Sequence, residues 1–429
     1  MHIAIVTAGG AGMYCGSCMH DNTWARGLMD SGEQVTLIPT YTPIRVDEEN
    51  ASSRRVFLGG LNVYLRTRSA LWRSLPRWMT GWVDHPAVIK FATGFGVSSD
   101  AKELGELTDA MLAAESGPQK EQYQELSQYI TTELRPDVIV FSNALLGGAL
   151  PSLRRQFAGP ILCTLQGDDI FLDGLIEPFK SKVMTKLKTL VADFDGYITH
   201  SRYYREHMSK YLGIPLEKFR QLPLSIDLRG HTGTPGIREG QPFTVGYFAR
   251  ICPEKGLHQL IEAFRILHRQ YPEARLKAGG YLGQRDIKYF EQIQRETRDL
   301  GAAFEYIGSP DRDGKQAFFQ SIDVLSIPTV YQEPKGLSVL EALANGIPVV
   351  LPRHGAFPEM IEATGGGELV HPGAPEALAT AITELLVNPE RRLELGRRGR
   401  DAVHRQFHPQ VLASQTLQLF QAALQAHSK

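Results

Sequence analysis

Cysteine, net charge and long hydrophobic runs are what this sequence has least of. It holds 4 cysteines in 429 residues, too few to cross-link a chain of this length, so we expect reduced thiols in a cytosol. Its formal net charge of −1 disfavours a strongly cationic nucleic-acid surface. The chain enters an apolar stretch at Ile3 without a basic leader or a long apolar run, so we expect neither a signal peptide nor a membrane span.

The length and the apolar pattern predict two α/β domains. A chain of 429 residues with 42% hydrophobic residues exceeds one ordinary core. Short apolar runs typical of buried strands alternate with segments of helical periodicity, which predicts parallel sheets with helices on both faces. These runs lie near residues 3–8, 35–38, 136–141, 160–165, 196–201, 243–248, 276–280, 306–309, 322–328 and 347–351.

The stretch from Glu333 to Glu341 suggests an anion site between two acids. It follows an apolar run and enters a segment whose leucines repeat at helical spacing. The N–H groups near Gly336, Leu337 and Ser338, with the helix dipole, suit a phosphate or diphosphate. The two carboxylates would repel that anion unless they faced hydroxyl groups, and a nucleotide sugar supplies both. Acids near a helix start also occur because they complement the dipole, so this stretch alone does not decide the function.

Arg250 and Lys255 lie upstream on one predicted strand-to-helix loop. Together they offer two cations to a diphosphate whose charge grows as the sugar bond breaks. On an isolated loop such residues are more often solvated surface side chains. Their combination with Glu333 and Glu341 favours a site.

These motifs resemble those of the family 4 retaining glycosyltransferases. Two glutamates with this spacing, followed by Ala-Leu-Ala-x-Gly-x-Pro-Val-Val, are similar to the family signature. The loop with Arg250 and Lys255 is similar to the motif Gly-Arg-Leu-x-x-x-Lys-Gly, with Ala249 for its first glycine. The resemblance implies the GT-B fold, in which two doubly wound, Rossmann-like domains face each other across a cleft.

The resemblance also implies a domain division, and it leaves one segment unmatched. It covers residues 1–43 and 128–429 and is strongest over 243–410. The implied parts are an acceptor-side domain (1–228), a glycine- and proline-rich linker (229–242), a nucleotide-sugar-binding domain (243–408) and a helix that crosses back to the first domain (409–429). Residues 44–127 are predicted to be a helical insertion in the first domain.

The resemblance implies roles for individual residues. The implied catalytic set is Glu333, near the transferred sugar, with Arg250 and Lys255 on the diphosphate. Donor-binding positions are Gly10, Gly12, Gly336, Leu337, Ser338 and Glu341, the last at the ribose. Gln166 and Asp168 are on the acceptor side, where Gln166 replaces a frequent histidine and cannot shuttle a proton near neutral pH.

The implied reaction is transfer of a sugar, with retention of configuration, from a nucleotide-diphosphate donor. A UDP-sugar is favoured and GDP-mannose is the second candidate, while the acceptor is an unidentified small molecule, glycan or lipid-linked group. Two other classes stay open. One is a phosphorylase or nucleotide-sugar epimerase of the same architecture; the other is a catalytically silent binding protein, given Gln166 and given Lys335 where the family often has an aromatic residue.

Three patterns could indicate a metal or cofactor, and none is favoured. The glycines after the first strand lack the acidic residue that a nicotinamide or flavin site expects at the end of the second strand. Cys15 and Cys18 have zinc or redox spacing, with His20 as a third ligand, but no fourth ligand follows. We therefore predict two thiols in a packed loop. The acidic loop at 168–173 is weak evidence for a metal, because the resembled family works without one.

The insertion contains an aromatic and basic stretch at residues 71–82. Three of the chain's 4 tryptophans lie there, interleaved with arginines. Such a stretch could lie on a membrane surface, line an acceptor pocket or form the core of a helical subdomain. Pro76 and Gly81 argue against one long amphipathic helix. The hypothesis for localisation is a cytoplasmic protein with peripheral contact to the inner face of the membrane.

Overall fold

The computed structural model describes residues 1–9, 15–53, 55–58 and 101–427, together with residues 62, 65–67, 69, 72 and 75. The chain divides into two compact domains: Met1–Pro223 with Pro409–Lys429, and Leu224–His408. The C-terminal helix, at residues 409–427, thus groups with the first domain. Residues 229–242, the expected linker, carry no helix or strand and are grouped with the second domain.

The first domain has a parallel six-stranded sheet in the order β2-β1-β3-β4-β5-β6. Its strands are β1 (His2–Thr7), β2 (Gln34–Pro39), β3 (Val138–Phe141), β4 (Ile161–Thr164), β5 (Gly196–Thr199) and β6 (Phe219–Gln221). Its helices are α1 (Gly16–Asp30), α2 (Ala101–Leu112), α3 (Lys120–Gln128), α4 (Leu150–Arg154), α5 (Asp168–Asp173), α6 (Phe179–Leu190) and α7 (Arg202–Leu212), joined by the C-terminal helix α15 (Pro409–His427).

The second domain has a parallel six-stranded sheet in the order β12-β11-β10-β7-β8-β9. Its strands are β7 (Thr244–Phe248), β8 (Arg275–Gly279), β9 (Phe304–Tyr306), β10 (Val324–Ser326), β11 (Val349–Pro352) and β12 (Gly367–Val370). Its helices are α8 (Leu257–Gln270), α9 (Ile287–Glu296), α10 (Arg312–Gln320), α11 (Leu337–Ala344), α12 (Phe357–Thr364), α13 (Pro375–Val387) and α14 (Pro389–Gln406).

Burial explains why the short strands read as continuous apolar runs. Every residue of β3, β4, β10 and β11 is buried, as expected for parallel strands covered by helices on both faces. The C-terminal helix α15 supplies part of the cover of the first sheet. Its Phe420 is fully buried and packs near Trp24 of α1, whose indole N–H donates to Thr416 at 2.9 Å.

The structure confirms the predicted pair of doubly wound α/β domains. Helices α2 and α3 lie within or at the end of the segment predicted to be a helical insertion. The prediction that Cys15 and Cys18 share a loop is wrong for Cys18. Helix α1 begins at Gly16, so Cys18 is a buried residue of its first turns and Cys15 directly precedes it. All four cysteines of the chain lie in the described part and none forms a disulfide.

Candidate functional site

Three loops meet at the carboxyl edge of the second sheet. β7, β10 and β11 are neighbours in the sheet, and the connections that follow them run over residues 249–256, 327–336 and 353–356. Because parallel strands end at the same edge, side chains from all three connections can converge there. Ligands of open α/β sheets bind at this edge.

Two glycines bring these loops into backbone contact. Gly256 has a φ of +75°, and a Cβ there would lie 1.8 Å from the carbonyl oxygen of Pro328. Gly355 has a φ of +62°, and a Cβ there would lie 2.5 Å from the backbone of Glu333. Only glycine adopts this left-handed conformation at such close approach. The Ala356 N–H then donates to the Glu333 carbonyl at 2.8 Å, which fixes the position of that residue.

Glu333, which is buried, and Lys255, which is partly buried, form an ion pair at the centre of these loops. The Nζ atom of Lys255 lies 2.5 Å from Oε2 of Glu333. The Tyr331 hydroxyl donates to the same carboxylate oxygen at 2.8 Å and accepts from Lys255 at 2.6 Å. The structure therefore joins a residue of the β7 loop to one of the β10 loop, 78 positions apart.

Electrostatics keeps the Glu333 carboxyl ionised. Burial by itself would raise the pKa of Glu333, but Lys255, Tyr331 and Lys335 outweigh it and hold that pKa below its usual range. Conversely, burial and the neighbouring carboxylate raise the pKa of the Tyr331 phenol well above its usual value. At neutral pH the cluster contains a carboxylate acceptor and a neutral hydroxyl.

Arg250 lies on the same β7 loop as Lys255. Its Nε atom donates to the Cys252 sulfur at 3.2 Å, and a terminal nitrogen lies 3.9 Å from the Glu254 carboxylate. Burial lowers the pKa of the Arg250 guanidinium, while Cys252 and Glu254 raise it, with a net increase. About a third of its side chain stays exposed, so the guanidinium can still reach a bound anion.

Glu341 lies in α11 and is paired with a lysine that the sequence did not single out. Nζ of Lys315, on α10, lies 2.6 Å from Oε1 of Glu341, and both side chains are buried. This pair anchors α10 to α11. The start of α11, with Gly336 as its N-terminal cap, presents the first N–H groups and the positive end of the helix dipole at the sheet edge.

In the first domain, Gln166 and Asp168 follow β4 and belong to a buried hydrogen-bond network. The Gln166 amide donates to Asp21 at 3.1 Å and to the Ser142 carbonyl at 2.9 Å. The Asp168 carboxylate accepts from the backbone N–H of Ala144 at 2.8 Å and of Gln166 at 3.1 Å. The network holds the loop after β4 against the loop after β3.

The carboxyl group of Asp168 is a weaker acid than an ordinary aspartate. Burial raises its pKa to about 6, although the two backbone N–H donors act in the opposite direction. The adjacent Asp169 has a lowered pKa, because the bonds from His207 and Tyr204 outweigh its burial. Tyr204 donates to Asp169 at 2.6 Å and accepts from the backbone N–H groups of residues 167 and 168.

Of the residues predicted from the sequence, the structure brings Glu333, Lys255 and Arg250 to one edge, close to the start of α11. The predictions for Gly10 and Gly12 stay untested, because both residues lie outside the described part of the chain. The same holds for residues 71–82, of which only Trp72 and Leu75 are described. Tyr331, Lys315 and Asp21 were missed. Tyr331 could have been noticed from its place two residues before Glu333, whereas no local pattern marks the other two.

The described residues contain no group of three or more His, Cys, Asp or Glu side chains that could hold a metal ion. Nor does any helix in that part of the chain combine the length and the apolar character needed to cross a membrane.

The fold is that of a two-domain α/β protein of the GT-B class. Comparison with known proteins shows which proteins the second domain resembles. Residues 235–402 match the family described as "Glycosyl transferases group 1". The GDP-mannose-dependent alpha-(1-6)-phosphatidylinositol monomannoside mannosyltransferase of Mycolicibacterium smegmatis is 29% identical over 274 residues, which cover 60% of this chain and 68% of that protein. The second domain is therefore similar to those of the group 1 glycosyl transferases.

Solved structures agree with the fold. Sucrose-phosphate synthase from Thermosynechococcus elongatus aligns with a TM-score of 0.70 at 19% identity, over 99% of this chain and 100% of that chain. HepE from Anabaena in complex with UDP-glucose aligns with a TM-score of 0.66 at 16% identity, over 98% and 99%. At these identities the likeness shows the GT-B fold alone.

Proposed function

We propose that the protein is a retaining glycosyltransferase that uses a nucleotide-diphosphate sugar. One observation carries the proposal: the ion pair of buried Glu333 with Lys255, with Arg250 beside it, lies at the carboxyl edge of the sheet within the segment that matches the group 1 family. A carboxylate that is held ionised next to cations suits a ligand with both sugar hydroxyls and a diphosphate.

In the proposed complex the diphosphate lies on Arg250, Lys255 and the N–H groups at the start of α11. These donors stabilise the charge that grows on the leaving phosphate, which is their catalytic contribution. Glu333 accepts hydrogen bonds from the transferred sugar, and Glu341 from the ribose. The departing phosphate helps to deprotonate the acceptor.

The comparisons support two donor nucleotides. HepE binds UDP-glucose, and the mycobacterial relative is named for its dependence on GDP-mannose. We propose a UDP-sugar first and GDP-mannose second. The first domain, with Gln166 and Asp168 after β4, is proposed to bind the acceptor, in the cytoplasm.

A mass-spectrometric screen of sugar release tests this function. Wild-type protein, Glu333→Ala and Arg250→Ala are incubated with UDP-glucose, UDP-galactose, UDP-N-acetylglucosamine and GDP-mannose. We expect one donor to be cleaved by the wild type and both variants, still folded by circular dichroism, to lose most of that activity. Proton NMR of the first anomer formed then tests retention. Turnover that depends on inorganic phosphate or isomerises the sugar would instead indicate a phosphorylase or an epimerase.

A further inference from the structure

Lys335 is a buried lysine beside Glu333, in the loop that leads into α11. The residue is 9% exposed, and its backbone N–H lies 3.4 Å from Oε1 of Glu333. The charge of Lys335 adds to that of Lys255 in lowering the pKa of the Glu333 carboxyl. Two lysines, one from each of two neighbouring loops, thus act on one buried carboxylate.

Lys255 and Tyr331 both bind this carboxylate directly. The Nζ atom of Lys255 is 2.5 Å from Oε2 of Glu333, and Tyr331 donates to the same oxygen at 2.8 Å. A second cation gains a separate role when Lys255 is engaged elsewhere. The inference below rests on the proposed function, in which Lys255 binds the diphosphate of the donor.

Binding of a diphosphate changes the surroundings of Glu333. An ammonium drawn to a phosphate gives up part of its interaction with the carboxylate, and a buried carboxylate without a cation tends to take up a proton. A protonated Glu333 would offer one hydroxyl donor in place of acceptor-only oxygens. It would then bind the hydroxyl groups of a sugar in a different geometry.

We propose that Lys335 is a positioning residue that keeps Glu333 ionised and oriented when Lys255 turns to the diphosphate of the donor. Lys335 is suited to this because it is separated from Glu333 by one residue on the same loop. Both residues therefore stay on the same loop whatever the position of the β7 loop.

The other groups around Glu333 do not replace this charge. Arg250 belongs to the β7 loop and serves the diphosphate with Lys255. His354, from the loop after β11, has a pKa lowered by burial and is neutral at neutral pH. The phenols of Tyr331 and Tyr247 have pKa values raised well above the usual range and stay neutral as well.

The test is a carboxyl titration of Glu333 by NMR on protein labelled with ¹³C-glutamate, with UDP as the probe. The Glu333 signal is assigned as the one missing from Glu333→Gln. Titrations with and without saturating UDP compare the wild type, Lys335→Met and Lys335→Arg. Lys277→Met, whose lysine pairs with Glu305 at 3.4 Å on β8 and β9, is the matched control for loss of a lysine.

In the wild type, in Lys335→Arg and in Lys277→Met we expect the titration midpoint of the Glu333 carboxyl to stay at low pH when UDP is bound. In Lys335→Met the midpoint with UDP should rise by on the order of one pH unit or more. The acid limb of donor turnover should move by the same amount. A purely structural role of Lys335 would lower activity equally at all pH values.

Two outcomes would overturn different claims. If UDP perturbs the Glu333 signal but the midpoints of wild type and Lys335→Met agree, Lys335 has no such role. If UDP leaves the Glu333 signal unchanged in the wild type, the donor site is wrong, and this inference fails with it. Lys335→Gln is the second neutral variant if the methionine variant does not fold, and the same criteria apply to it.

Discussion

At the scale of single residues, the buried pair of Lys315 and Glu341 is an ion pair whose two charges depend on each other. Replacing one partner removes a close counter-charge from the other in a buried position, and breaking such a pair typically costs about 3–5 kcal/mol. We expect Lys315→Met and Glu341→Gln each to lower the free energy of unfolding of the second domain by an amount of that order. The double variant should lose less than the sum.

Urea unfolding followed by far-UV circular dichroism measures these three variants. An exposed lysine of the same domain, Lys288, provides the control Lys288→Met. Additive losses in the double variant would show that the two side chains are energetically independent, against the 2.6 Å contact.

The pair also shows what sequence patterns leave out. Glu341 could be predicted from the family motif. Its partner, Lys315, lies 26 positions earlier on another helix. Which side chains of α10 and α11 meet depends on how the two helices pack. No local spacing encodes that. By contrast, the approach of Lys255 to Glu333 could be anticipated, because both follow strands that end at one edge.

Asp168 makes the stability of the first domain depend on pH. Its pKa is about 6 in the folded protein and 3.8 in its ordinary state, so the folded form binds the proton more tightly. Stability from this group is complete below pH 3.8 and is lost as the pH rises through 6, by on the order of 3 kcal/mol. We expect Asp168→Asn to remove this component, as measured by tryptophan fluorescence during urea unfolding at pH 4 to 7.

Tryptophan fluorescence suits this measurement because all 4 tryptophans fall between residues 24 and 82 of the first domain. The variant keeps an acceptor oxygen for the N–H of Ala144 and loses the one for the N–H of Gln166, so we expect a lower stability at every pH and compare the pH dependence alone. An unchanged pH dependence in Asp168→Asn would show that the proton is bound elsewhere.

At the scale of elements, the contact between the β7 and β10 loops depends on Gly256. Alanine at a φ of +75° costs about 1–2 kcal/mol anywhere. Here its Cβ would also meet the Pro328 carbonyl, so the loops must separate, at about 1–3 kcal/mol more. We expect Gly256→Ala to reduce donor turnover and to destabilise the second domain more than its control. Thermal unfolding and turnover together measure this.

Gly308→Ala is the matched control for that substitution. Gly308 has a φ of +74°, but nothing lies within 4 Å of its Cβ position. Gly308→Ala should therefore be destabilised only by the unfavourable φ of alanine, without a steric clash. Equal losses in both variants would mean that the close approach of the two loops has no energetic importance.

The elements themselves could be predicted wherever they are buried on both faces. The apolar run at 322–328 contains β10, and the helix expected from Leu337 begins there in the structure. β6 was missed because it is an edge strand of three residues, of which only Phe219 is buried. Such a strand has neither an apolar run nor a clear alternation.

At the scale of the whole molecule, the last helix completes the core of the domain in which the chain begins. Phe420 is fully buried in the same apolar cluster as Trp24. We expect Phe420→Ala to lower the free energy of unfolding of the first domain by about 3–5 kcal/mol, because a buried aromatic side chain leaves a cavity. The fluorescence transition should move to lower urea.

Gln425→Ala, at an exposed position of the same helix, is the control and should unfold like the wild type. The calorimetric transition of the second domain should stay unchanged in both variants. If Phe420→Ala left the fluorescence transition in place, α15 would not be part of the folded core of the first domain.

The measurement that tests the central claim most directly is the rate of nucleotide-sugar cleavage by Lys255→Met beside Lys288→Met, with the donor that the wild type accepts. The claim is that Lys255 stabilises the leaving diphosphate at the edge of the second sheet. Loss of one such donor should reduce turnover by about 10²-fold or more, while the exposed control stays within about twofold of the wild type. Turnover by a folded Lys255→Met at the wild-type rate would contradict the account.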